Sequence, residues 1–166
     1  METKHISADC TRSQYRKKYA SGKLYEELKK CLTYGIIAAL MIPAALLLGG
    51  TGGLAIIFCL PVLNLIPVIL AVRTRNKLWA NAAAVISVLW MAYVLVAAFM
   101  WIADLWSFLG VFGFDVLFLP SARGVTLAYL ITIISGALSI RCAVKLLGVF
   151  KKIDAEYDDL MANLRA

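Results

Sequence analysis

A chain of 166 residues that is 62% hydrophobic and only 16% charged, with a mean hydropathy of +0.82, does not fit a water-soluble fold. Soluble domains carry about 45–50% apolar and about 25% charged residues, so the apolar excess must face lipid. The formal charge of +7 sits mostly beside apolar runs, where anionic lipid and membrane topology account for it, and no nucleic-acid partner is inferred.

Residues 1–30 are polar and basic, with Lys4, Arg12, Arg16, Lys17, Lys18, Lys23, Lys29 and Lys30. Tyr15, Tyr19, Leu24 and Leu28 recur near helical spacing and are interrupted at Ser21-Gly22. That pattern predicts a short amphipathic helix at the headgroups. The segment is too long and too charged for a signal-peptide n-region, so the apolar run after it reads as an uncleaved anchor.

Four apolar runs follow, and they predict spans over 31–48, 54–72, 78–103 and 125–148. The first contains Gly35 and Pro43 and ends in Gly49-Gly50-Thr51-Gly52-Gly53. That glycine stretch lacks the lysine and hydroxyl pair of a phosphate loop and reads as a hairpin turn. The second run is the least regular. Pro61 and Pro67 each remove an N–H, which frees the carbonyls of Ile57 and Leu63, and Asn64 lies between the two breaks. Asn64 is expected either to fix helix rotation through an interhelical hydrogen bond or to line a polar path.

Arg73, Arg75 and Lys77 make a basic connector to the third run, whose ~39 Å of helix exceeds the hydrocarbon thickness and requires tilt or emergent ends. Trp79 at one end and Trp101 with Trp106 at the other mark two interfaces, which leaves Trp90 at mid-depth needing protein contacts. Ala80, Ala83, Ala84 and Ser87 form a small-residue face for close helix approach. Residues 104–124 are apolar but broken by Gly110, Gly113, Asp115 and Pro120, and read as an outer interfacial loop, with a re-entrant turn as the alternative.

The fourth run carries a heptad seam. Thr132, Gly136, Ser139, Ala143, Leu146, Phe150, Ile153, Tyr157, Leu160 and Leu164 alternate steps of four and three. The seam is small and hydroxylic in the apolar part, with Ser135 beside it, then large and apolar where water supplies a hydrophobic drive. One continuous helix is predicted, ending in an acidic cytoplasmic extension over 151–166.

All basic residues except Arg123 fall on one side of this topology, so the positive-inside rule places both termini in the cytoplasm of a bacterial inner membrane or its equivalent. Lys29, Lys30, Arg73, Arg75, Lys77, Arg141 and Lys145 are the candidate lipid-headgroup contacts. The basic N-terminal segment then shares a side with Asp154, Glu156, Asp158 and Asp159, and the two tails are expected to pair.

The single histidine, His5, and the scattered Cys10, Cys31, Cys59 and Cys142 supply no metal spacing and no C-x-x-C thiol relay, and no carboxylate falls inside a span. No catalytic residue, metal or cofactor is expected. The fold class is an all-α membrane protein of four transmembrane helices in two hairpins, with cytoplasmic amphipathic helices at both ends. The expected function is a non-enzymatic accessory, assembly or regulatory subunit that packs against a membrane-protein partner or a second copy, in a bilayer with anionic lipids. The alternative is a small transporter or channel with a polar path at Asn64 and the Thr132–Ser135–Ser139 face.

Overall fold

A computed structural model describes residues 11–18, 22–49, 60–112 and 120–165. All of these except Thr11, Arg75 and Asn76 are helical, and no strand occurs among them. The helices are α1 (Arg12–Lys18), α2 (Gly22–Gly49), α3 (Leu60–Thr74), α4 (Lys77–Phe112) and α5 (Pro120–Arg165). His5, Cys10, Cys59, the turn at 50–53, the first part of the second run and the centre of the outer loop with Asp115 lie outside the described residues. The side chains of Pro61 and Leu164 lie outside them as well.

Three helices are long and apolar enough to cross a membrane, over Leu24–Ala45, Lys77–Ser107 and Ala122–Asn163; the apolar part of α3, Leu63–Thr74, is shorter. Helix α5 has 46 residues, about 69 Å of helix and more than twice a ~30 Å hydrocarbon core. It therefore extends well beyond any bilayer it crosses.

Helix boundaries differ from the sequence reading in three places. Residues 22–30, expected in a separate surface helix, form the first turns of α2, because nothing between Lys23 and Lys30 breaks a helix. Residues 104–112, expected as loop, continue α4; Gly110 alone costs only about 1 kcal/mol in a helix and does not end it. Helix α5 starts at Pro120 rather than at 125, since proline lacks only an N–H that the first turn leaves unpaired anyway. Pro61 lies in the first turn of the described α3, with Ile57 outside the described residues, whereas Pro67 is an interior proline of that helix.

Helix α2 packs most extensively on α5, α4 contacts α5 and α3, and α3 also touches α2. Helices α3 and α4 meet at Arg75-Asn76. Arg75 holds a left-handed φ of 53° just past the end of α3, and Asn76 caps α4 by accepting from the Leu78 N–H at 3.0 Å.

The buried positions of α4 are Ala80, Ala83, Ser87, Trp90, Val94 and Ala98, a stripe at three- and four-residue spacing. The facing stripe on α5 is the seam, buried from Thr132 through Ile153. Where they meet, the missing Cβ of Gly136 admits Trp90 and Met91. A Cβ there would lie 2.8 Å from the Trp90 ring and 2.6 Å from the Met91 sulfur. Trp90 is thereby buried among protein atoms. Around this core Leu40, Val85, Leu89, Phe99 and Trp106 are exposed, an apolar outer surface suited to lipid rather than water.

Candidate functional site: polar contacts inside the bundle and a charged plate at one end

Buried polar side chains of the apolar helices bond across two separate helix pairs. Between α3 and α4, Asn64 Nδ2 donates to Ser87 Oγ at 2.7 Å, and the Ser87 hydroxyl donates to its own helix at Ala83 O, 2.8 Å away. Between α5 and α2, the Ser135 hydroxyl donates to Ala38 O at 2.8 Å and the Cys142 thiol to Cys31 O at 3.1 Å. Thr132 turns back to Ala128 O on its own helix at 2.6 Å. No hydrogen bond joins Asn64 to Thr132, Ser135 or Ser139. One acceptor is left over, because Asn64 Oδ1 is buried without a hydrogen-bond partner.

At one end, the chain builds a charged plate on an apolar floor. Leu146, Phe150 and Ile153 of α5 are fully buried with Leu28 of α2, Tyr15 of α1, Val68 and Ala71 of α3, and Ala80 of α4. Tyr157 and Leu160 pack against the edge of this cluster. The lower seam is therefore covered by the chain's own helices, and it is not the free docking edge that a lone amphipathic extension would present.

Asp154 is the centre of the plate. Arg16 reaches its Oδ1 through Nε at 2.7 Å and Nη2 at 2.6 Å, and Lys77 reaches Oδ2 at 3.3 Å. These contacts bring α1, α4 and α5 to a single carboxylate whose side chain is only 14% exposed. Arg75 closes the group, donating to the carbonyls of Arg16 and Lys17 at 3.1 and 2.8 Å while lying over the Tyr25 ring at 4.8 Å. The guanidinium thus satisfies carbonyls that the end of α1 leaves without partners. Outside this group Arg12 pairs with Asp158 at 2.9 Å and Lys152 with Glu27 at 3.1 Å, both exposed. The two tails are in contact through Asp154 and Asp158.

Of the candidate headgroup residues, Lys77 and Arg75 are engaged in the plate, and Lys29 lies over Tyr25 at 4.8 Å. Arg73 is exposed at the end of α3. Arg141 and Lys145 stand apart on the flank, both over the ring of Tyr34 at 5.5 and 4.5 Å.

Sequence reasoning missed Tyr34, Asn76 and the double role of Asp154. Asn76 was recoverable as an N-cap signal before an apolar run. The other two depend on helix rotation, which local pattern does not encode. Among the described residues no group of His, Cys, Asp and Glu is arranged to hold a metal. Comparison with protein-family models, with curated proteins and with solved structures found no match.

Proposed function

We propose that this chain is an integral membrane bundle that crosses the bilayer four times with both termini cytoplasmic. In this reading it acts as a non-enzymatic accessory, assembly or regulatory subunit beside a partner membrane protein or a second copy. The supporting observation is the use of the intramembrane polar groups. Ser135 and Asn64 bond across two different helix pairs and Thr132 bonds within its own helix, so each acts in packing and the groups do not line one path. The direction of the chain favours four passes, because α1, the Arg75-Asn76 turn and the acidic part of α5 meet at one end. That end carries nearly all of the basic residues, which is the cytoplasmic signature. Because the seam from Leu146 to Ile153 is already buried, partner contacts in this reading use other surface.

The test is the native mass of the tagged protein, gently extracted from its own membrane, with every co-purifying chain identified. A stoichiometric foreign chain or a defined homo-oligomer is expected; a lone monomer sinks the subunit reading. A transporter or channel is the second reading, and the buried, unpartnered Asn64 Oδ1 favours it, since such an acceptor suits water or a passing solute. Asn64→Leu separates the two. A packing role alters assembly or stability, whereas a path alters flux in reconstituted vesicles with assembly intact.

A further inference from the structure

A groove of about 720 Å³ runs between α2 and α5, and its lining includes Lys30, Cys31, Tyr34, Lys145 and the paired Lys152 and Glu27. Tyr34 organises it. Lys145 Nζ donates to the Tyr34 hydroxyl at 3.2 Å, and Arg141 lies against the same ring. Elsewhere in the molecule Arg12, Arg16 and Lys77 are each matched by a carboxylate, and in the groove itself Lys152 is matched by Glu27. Among the described residues no carboxylate lies within ion-pair distance of Lys30, Arg141 or Lys145. Two cations gathered on one tyrosine repel each other unless an anion sits between them.

Depth along α5 identifies that anion. At the far end Trp101 Nε1 donates to Thr126 Oγ1 at 3.3 Å and stacks on Tyr129 with ring centroids 6.4 Å apart, an aromatic pair of the kind that marks a membrane interface. From Thr126 to Lys145 the helix rises about 28 Å, close to one ~30 Å hydrocarbon thickness. Lys145 therefore stands at the level of the opposite phosphate layer, and Arg141, about 6 Å nearer the bilayer centre, reaches toward it along its side chain. Helix α5 continues about 30 Å beyond Lys145, so the cluster lies on the flank of the molecule rather than on its water-facing end. A lipid reaches that flank from the side.

We infer that the α2–α5 groove is a binding site for the phosphate of an anionic membrane lipid, held by Lys145 on Tyr34 with Lys30, and by Arg141, which stands beside the lining against the same ring. The inference rests on the reading that α5 crosses the bilayer.

Native mass spectrometry of the full chain, with phosphatidylglycerol or phosphatidylcholine added to the detergent, tests it. Phosphatidylglycerol should be retained in preference, and Arg141→Gln and Lys145→Gln should each weaken retention about fivefold, the effect of one cation at a membrane surface. Lys151→Gln, at an exposed lysine outside the groove, should not. Equal losses for all three variants, or no preference for phosphatidylglycerol, overturn the site. Displacement of the lipid by inorganic phosphate assigns the groove to a free anion and overturns the lipid assignment. Alkaline washing of membranes checks the premise separately. Retention in the pellet upholds it, whereas release sinks the spanning reading and the site with it.

Discussion

Gly35, Gly136 and Gly148 sit in helices with different surroundings, and their neighbours decide what a methyl group would do. At Gly136 an added Cβ meets Trp90 and Met91 below 3.0 Å. Gly136→Ala should therefore lower stability by about 1–3 kcal/mol, the usual cost of overpacking. Gly148 has nothing within 4 Å and is exposed, so Gly148→Ala should stabilise α5 by about 0.5–1 kcal/mol through helix propensity alone. Gly35 falls between them, its nearest neighbour Leu65 Cδ1 lying at ordinary contact distance, 3.4 Å. Thermal unfolding of the three variants in one detergent checks the order; a destabilised Gly148→Ala would contradict it. Exposure likewise decides between the ion pairs. Arg12 and Asp158 are more than half exposed, so Arg12→Ala should cost no more than about 1 kcal/mol. Asp154 is mostly buried between two cations, and Asp154→Asn should cost about 1.5–3 kcal/mol, as for other hydrogen bonds to charged groups. Equal effects from Arg12→Ala and Asp154→Asn would remove Asp154 from the centre of the plate.

Among the elements, α1 is the one that its own sequence cannot hold. Seven residues make about two turns, and isolated helices shorter than about 12–15 residues are marginal in water. Its order comes from Tyr15 buried in the floor, Arg16 on Asp154 and Arg75 on its terminal carbonyls. Arg75 in turn pays for a left-handed backbone that glycine would adopt without strain. Deleting residues 1–21 should strip this cover from α5, and amide exchange over 146–160 should accelerate. If protection there is unchanged, the plate does not stabilise the extension. Helix α5 shows the converse. It has no interior proline between its first residue and Arg165, and its seam supplies a buried face along the way, so one helix serves both the apolar bundle and the polar plate.

For the whole molecule, the proposed topology makes a further prediction. That topology puts both termini on one side, so under it a reporter fused to the C-terminus should be active only as a cytoplasmic protein, and one placed near Arg123 only on the other face. The opposite pattern would invert the orientation; activity at both places would dismiss a single topology. The contact between the tails makes the same demand, because Arg16 and Lys77 reach Asp154 only if α1, the start of α4 and the extension of α5 share an end.

What the sequence determined by itself was set by transfer energy and periodicity. Apolar runs, basic residues flanking them, and a seam on the last helix are properties of local order along the chain. The buried face from Thr132 to Ile153 was legible because a heptad step repeats wherever a helix is covered on one side. Helix ends were less legible. Residues 104–112 look like loop by their glycine and aspartate, yet stay helical because neither residue's penalty exceeds the gain from continuing an apolar helix. Only the tertiary structure decided the partners: Ser87 for Asn64, Ala38 for Ser135, Trp90 for Gly136, and Tyr34 for both Arg141 and Lys145. Those pairings depend on how each helix is rotated about its axis. In a uniformly apolar helix such as α4 almost any rotation buries similar surface, so the rotation is fixed by shape and hydrogen bonds between helices, which no single stretch of sequence contains.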